Sequence, residues 1–223
     1  MLELRQLQAF YGPAQALFGV DLTVRAGQLV VLQGLNGAGK STLLKSVIGL
    51  EVRTLGQIVF APDLSRPPVD MSNWPAHRRA RWGLGYVPED RRLFAGLTVR
   101  ENLLIAGGSA DRLDWVLERF ALLKPMLGRL ASQMSGGEQQ MLATARALMT
   151  QPLLLLLDEP CEGIAPVLVE SMVQTLIDLR KQGLALLVAE QNQQLARAAD
   201  QVVELVAGTV RADPELFNLG TSS

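Results

Sequence analysis

The segment Gly34-Leu35-Asn36-Gly37-Ala38-Gly39-Lys40-Ser41-Thr42 constrains this chain more than any other. It satisfies G-x-x-x-x-G-K-[ST], a loop that works only between a strand and a helix. Both flanks are present. Leu29 to Leu32 is a short continuous apolar run that reads as a buried strand, and a helix is predicted from Gly39 to about Ile48, ended by Gly49. Glycines let successive backbone N–H groups turn inward around a polyphosphate, and the helix aims its positive end at the same anion. Asn36 to Thr42 is therefore a phosphate cradle, in which Lys40 reaches the β- and γ-phosphates and Ser41 ligates Mg²⁺.

A second element complements it. Leu153 to Leu157 is an aliphatic run too short for a helix, and it ends in Asp158-Glu159-Pro160. A buried parallel strand would deliver both carboxylates to its C-terminal edge, beside the cradle. Asp158 is then a Mg²⁺ ligand and Glu159 the group that polarises an attacking water. Together the two elements define a nucleoside triphosphatase.

Strand patterns recur at Leu2 to Leu7, Val20 to Val24, Ile58 to Phe60, Leu84 to Val87, Leu184 to Ala189 and Val202 to Val206. Helices are predicted at Val167 to Lys181 and Gln193 to Ala199. Thr98 to Met149 is helical throughout, broken at Gly107-Gly108 and near Pro125 and Gly128. Alternating strands and helices imply an α/β fold, a mostly parallel sheet covered on both faces. Ala61 to Pro75, with Pro62, Pro67 and Pro68, reads as an irregular loop.

Composition excludes several alternatives. Apolar residues make up 48% and charged residues 19%, enough for a core and too apolar for wholesale disorder. Lys plus Arg number 21 against 22 Asp plus Glu, so the concentrated positive field of a nucleic-acid-coating protein is absent. A single cysteine, Cys161, cannot form an internal disulfide and reads as a small buried filler. Met1 to Phe10 lacks the apolar stretch of a leader, and no run approaches the roughly 20 apolar residues of a membrane span.

Met134-Ser135-Gly136-Gly137-Glu138-Gln139-Gln140 precedes the acidic strand. Two glycines, a serine hydroxyl and the start of a helix from Glu138 to Met149 make another anion nest. That helix has an apolar face at Met141, Leu142, Ala145, Leu148 and Met149. The segment resembles the LSGGQ signature of ABC ATPases, and the order cradle, signature, acidic strand is that family's.

The resemblance implies a P-loop NTPase with a RecA-like, mostly parallel core, an N-terminal antiparallel β portion and an inserted helical subdomain. The chain would be one domain over 1–223, with core 1–90 and 153–223 and insertion about 91–152. It implies ATP and Mg²⁺, and a head-to-tail dimer in which Ser135, Gly136 and Gly137 close over ATP held by the other copy. Tyr11 looks like the aromatic that stacks on adenine.

Gly85-Tyr86-Val87-Pro88-Glu89-Asp90-Arg91-Arg92-Leu93-Phe94 occupies the position of the family's Q-loop, and Glu190-Gln191-Asn192 that of its switch histidine. These segments look like one of the two paired ATP-binding subunits of importers for branched-chain amino acids and related amides. The implied partners are two membrane-spanning permeases, a sister cassette or a second copy, and indirectly a solute-binding protein, but no nucleic acid. The implied location is peripheral, at the cytoplasmic face of the membrane. Urea and short-amide importers, a lipopolysaccharide-type exporter or a non-transport ABC ATPase are the alternatives.

Three departures stand out. Glu89 replaces the usual Gln, so a potential metal ligand becomes a carboxylate. Gln191 replaces the usual His and donates without titrating, and the only histidine is His77, so no histidine step is expected at the site. Cys161-Glu162-Gly163-Ile164 replaces the usual Ser-x-x-Asp. The basic stretch His77-Arg78-Arg79-Ala80-Arg81 with Arg91-Arg92 reads as a solvated face or a contact with a partner or lipid headgroups. Phe94 and Leu97 are candidates for gripping a permease helix.

Overall fold

The computed structural model describes residues 1–62 and 67–211. In chain order its elements are β1 (Leu2–Tyr11), β2 (Ala14–Val24), β3 (Leu29–Gln33), α1 (Lys40–Ile48), β4 (Arg53–Phe60), β5 (Val69–Asp70), α2 (Ala76–Arg81), β6 (Leu84–Val87), α3 (Val99–Leu104), α4 (Ala110–Arg119), α5 (Gly136–Met149), β7 (Leu154–Asp158), α6 (Pro166–Lys181), β8 (Ala185–Ala189), α7 (Gln193–Ala198), β9 (Gln201–Val206) and β10 (Thr209–Val210). Two 3₁₀ turns, Ala121–Met126 and Ala131–Gln133, lie between α4 and α5.

The strands form two sheets. An antiparallel one has the order β2-β1-β4-β5, and a six-stranded one has the order β10-β9-β3-β8-β7-β6. In the second, every pairing from β9 to β6 is parallel and only β10 runs against its neighbour. Continuous apolar runs suit this sheet because both of its faces are covered. Val30, Leu32, Leu154, Leu156 and Leu187 pack with α1 and the antiparallel sheet, whereas Leu29, Val31, Leu155, Leu157, Leu186 and Val188 pack with the helices of the other face. Each such side chain contributes about 1.5–3 kcal/mol on burial.

Register decides where the chemistry goes. Leu32 pairs with Ala189, and Ala189 with Asp158. The residues that follow β3, β7 and β8 therefore emerge at one edge: the Gly34–Thr42 loop, Glu159 to Gly163, and Glu190 to Asn192. Ligands bind at this carboxyl edge in open α/β sheets.

Between β6 and β7 the chain is helical. The predicted apolar face of α5 is buried at Met141, Leu142, Ala145, Leu148 and Met149. Capping boxes start two of these helices, Thr98 with Glu101 on α3 and Ser135 with Glu138 on α5. Asn102, wholly buried, donates to the carbonyls of Phe94, Leu97 and Thr98 and accepts from the Phe94 N–H, which pins the loop before α3.

Several features differ from the sequence expectation: β2 begins at Ala14 rather than Val20, and helix α2 at Ala76–Arg81 is unexpected. β4 begins at Arg53, not near Ile58; Gly56 in its first half hides the strand pattern. There a β-carbon would stand 2.4 Å from the Gln6 carbonyl, opposite a register shift in β1. Residues 67–75 are not wholly irregular, since Val69–Asp70 pairs with β4; 63–66 lie outside the described residues. β10 is too short to leave a periodic pattern.

The basic stretch is also not simply a solvated or partner-facing surface. Arg79 is 3% exposed and donates to the carbonyls of Ser46, Val47, Ser72 and Trp74. Arg78 stacks on Trp74, 3.7 Å from its centroid. Arg91 turns inward to the Gln140 and Gln139 side-chain carbonyls on α5. An arginine's long apolar stem lets it reach inward as readily as outward, so the charge pattern alone cannot tell the two apart.

Candidate functional site

The cradle forms at the N-terminus of α1. Gly39 caps the helix in a left-handed conformation, φ 107°, and no side chain takes its cap position. Lys40 is buried at the first turn. Its Nζ donates to the Gly34 carbonyl at 2.9 Å and the Leu35 carbonyl at 3.5 Å, and stands 3.4 Å from Glu159 Oε1. The Ala38 N–H closes a turn to the Leu35 carbonyl, 3.0 Å.

Ser41 and Asp158, distant in sequence, meet here. Ser41 Oγ donates to Asp158 Oδ1 at 2.9 Å, and the Tyr86 hydroxyl donates to Oδ2 at 3.4 Å. Burial pushes the Asp158 carboxyl above the usual carboxylate range, and the Ser41 hydroxyl pulls partly back. Tyr86 is driven upward by burial and then by the Asp158 charge. Ser41 Oγ and the Asp158 carboxylate are hard oxygen donors of the kind that would hold Mg²⁺. Among the described residues no cluster of three or more His, Cys, Asp or Glu could cage a metal alone. A cation held by one hydroxyl and one carboxylate, and completed by phosphate and water, fits this donor set.

A cavity of about 630 Å³ opens over these groups. Asn36, Gly37, Gly39, Lys40, Ser41, Thr42, Glu89 and Glu159 line it, whereas Ala38, Tyr11, Asp158 and Gln191 are not part of its lining. Glu89 is exposed and makes no described hydrogen bond to Ser41 or Asp158. Gln191 reaches the cradle, its Nε2 donating to Asn36 Oδ1 at 3.1 Å. Tyr11 is partly exposed and meets the cradle helix through Thr42, hydroxyl to hydroxyl at 3.5 Å.

The cavity also has walls that no motif announced: Gln15, Ala16 and Phe18 of β2, Ala207-Gly208, and Glu162. Phe18 is 50% exposed and packs on Gly208, whose close approach to Ala16 leaves no room for a β-carbon. The Glu159 carboxyl beside Glu162 raises the latter's carboxyl to about 7. Cys161 is buried and its thiol is pushed up to about 12, first by burial and then by Glu190, so it is an inert filler and not a nucleophile.

Ser135, Gly136 and Gly137 do not line this cavity. Ser135 is exposed at the N-terminus of α5, and its Oγ accepts the Glu138 N–H at 3.3 Å, so its own hydrogen is free to donate. Gly137 is buried, where a β-carbon would lie 2.5 Å from Leu168.

Residues 17–162 match the family model described as ABC transporter. The chain belongs to the ABC transporter family. Among its relatives is the high-affinity branched-chain amino acid transport ATP-binding protein BraG of Pseudomonas aeruginosa, 39% identical over 94% of this chain and 91% of that one. The probable branched-chain amino acid transport ATP-binding protein LivF of Archaeoglobus fulgidus is 37% identical over 94% and 90%. A solved ATP-binding subunit of an ABC transporter superposes with a TM-score of 0.79 at 29% identity, covering 95% of this chain and 88% of its own. This ABC protein is accordingly a nucleotide-binding cassette on a P-loop NTPase fold. Among the described residues no helix is long and apolar enough to cross a membrane.

Proposed function

We propose that the chain is the ATP-hydrolysing subunit of an importer for branched-chain amino acids or related amino acids and amides. One observation carries the catalytic part. Lys40, Ser41, Asp158, Glu159 and Gln191 converge on one sheet edge, while the Ser135 nest stays outside the cavity at that edge. Half of an anion site is then left for a second copy or a sister cassette to complete. Similarity to BraG and LivF over nearly the whole length supports the solute class.

The reaction is phosphoryl transfer from ATP to water. Lys40 and the cradle N–H groups hold the β- and γ-phosphates, so negative charge developing on the leaving oxygen meets fixed positive groups. Mg²⁺, held by Ser41 and Asp158 with Glu89 nearby, supplies charge shielding when bound. Glu159 leaves its resting partner Lys40 and orients the attacking water. Gln191 donates to the γ-phosphate, and Tyr11 stacks on the base.

Ser135 donates its free hydrogen to the γ-phosphate of the opposite copy, backed by the N-terminus of α5 and by Gly136 and Gly137. Two such sites close a head-to-tail dimer. Closure expels water, strengthens these contacts and moves two permease subunits. Exposed Phe94, with Leu97 beside it, receives a permease helix. Residues 91–152 then act as a helical subdomain on a core of 1–90 and 153–223. The assembly sits at the cytoplasmic face of the membrane and receives solute from a binding protein.

The test is reconstitution with its two permeases in vesicles, followed by ATP-driven uptake of a panel of amino acids and amides. Uptake of branched-chain amino acids is expected. Export, or ATP turnover indifferent to every solute in the panel, would refute the importer. A Glu159→Gln chain that stays monomeric with Mg²⁺ and ATP would refute the shared site.

A further inference from the structure

Glu190 has no part in the chemistry above, yet it is 5% exposed at the end of β8, between the Gln191 turn and the loop that follows Glu159. Its Oε1 accepts the N–H groups of Gln191 at 2.8 Å and Asn192 at 3.1 Å. Its Oε2 accepts the N–H of Cys161 at 2.9 Å. A buried carboxylate is tolerated when several N–H groups meet its charge, and charge-assisted bonds of this kind are short and strong.

The arrangement spans two strands. The Glu159 N–H donates to the Ala189 carbonyl at 2.9 Å, and the Glu190 N–H to the Leu32 carbonyl at 3.0 Å. β3, β7 and β8 are thus joined at the edge where the cradle, Glu159 and Gln191 emerge. Glu159 itself is left-handed, φ 50°, a conformation that a non-glycine residue holds only when its surroundings impose it. Gln191 is fixed at both ends, its N–H on Glu190 and its side chain on Asn36.

We infer that Glu190 is a positioning residue for hydrolysis: its carboxylate holds the Cys161 loop against the Gln191 turn, so that Glu159 and Gln191 stay in register around one γ-phosphate. The inference rests on the roles proposed for those two residues. Both oxygens are required. In Glu190→Gln, one oxygen retains the adjacent Gln191 and Asn192 donors, and the amide N–H₂ faces the Cys161 N–H, donor against donor. In Glu190→Asp the carboxylate is about 1.5 Å shorter in reach. It still serves the neighbouring turn and falls short of Cys161. Both variants release the same loop by different means.

The experiment measures kcat and KM for ATP by phosphate release, and ATP affinity by equilibrium dialysis, in the full chain. Glu190→Gln, Glu190→Asp, Gln191→Ala and the double variant Glu190→Gln with Gln191→Ala are compared. Each Glu190 variant is expected to lower kcat about tenfold, the scale of a misplaced reacting group. KM and affinity should stay within about twofold, because Lys40 and the cradle N–H groups do not depend on Glu190. With Gln191 already truncated, Glu190→Gln should cost less than about twofold more, since no register remains to be kept. Wild-type kcat in both Glu190 variants overturns the inference. So does loss of ATP affinity in step with kcat, or a tenfold loss that persists beside Gln191→Ala. Wild-type kcat in Gln191→Ala alone instead overturns the role given to Gln191, and the Glu190 inference with it.

Discussion

Replacing Arg79 by Met should destabilise the chain by about 3 kcal/mol, and the figure follows from the end of α1. The N–H groups of Gly49 and Leu50 both return to the Lys45 carbonyl. The carbonyls of Ser46 and Val47 are left without helical donors, and Arg79 Nη1 serves both, at 2.7 and 2.8 Å. Two orphaned buried carbonyls cost about 1 kcal/mol or somewhat more each. The cation at the negative end of the helix adds about 0.5–1 kcal/mol. The bonds to Ser72 and Trp74 are partly accessible, and water can replace them. Met keeps most of the apolar stem, so packing changes little.

Burial opposes part of this gain, since it pulls the guanidinium down to about 10 with no carboxylate hydrogen-bonded to it. Thermal and urea unfolding of the nucleotide-free chain measure the result. A loss of 3 kcal/mol lowers Tm by about 6–12 °C for a chain of this size. Arg79→Lys should fall between, because one ammonium cannot span four carbonyls. Arg78→Met, which removes an exposed stacking contact on Trp74, should lose only about 0.5–1 kcal/mol. A loss below about 0.5 kcal/mol in Arg79→Met, or equal losses at Arg78 and Arg79, would refute the capping argument.

Glu159→Gln should keep ATP affinity within a few-fold while phosphate release falls by about 10²–10⁴, and near-normal turnover would remove Glu159 from its role. Cys161 should resist thiol-modifying reagents at pH 8 in the folded chain and react on unfolding, because its thiol is buried and raised to about 12; rapid labelling of the native protein contradicts this. Lys45 and then Arg92 hold the Glu51 carboxyl down to about 2. A carboxylate depressed in the folded state stabilises above its unfolded value and loses that contribution as pH falls through the folded value. The stability difference between wild type and Glu51→Gln should therefore be present at pH 6 and absent near pH 2, and a pH-independent difference would disprove the linkage.

Much of the site is legible because its chemistry is local. Gly34 to Thr42 must be contiguous, since one loop has to present several N–H groups to one anion. Asp158 and Glu159 end an aliphatic run whose continuity already implies burial on both faces. The Ser135-Gly136-Gly137 nest is equally local, although α5 begins at Gly136 and not at the expected Glu138, which instead closes a capping box with Ser135. Gly56 hides half of β4 from a pattern reading, and Arg79 reads as surface charge, because in each case the deciding partner is remote: the Gln6 carbonyl for one, the end of α1 for the other.

From residue order alone come the phosphate loop, the acidic strand, the signature turn and the alternation that makes a covered parallel sheet. Each depends on contacts within a turn or two, or on burial that hydropathy reports directly. Tertiary structure alone decided that Ser41 meets Asp158, that Phe18 and Gly208 wall the cavity, and that Glu190 ties the Cys161 loop to the Gln191 turn. Those relations are set by strand order and register, which bring together residues 29 positions apart in one case and more than a hundred in the others, and hydrogen bonds of that span leave no periodic trace in the chain.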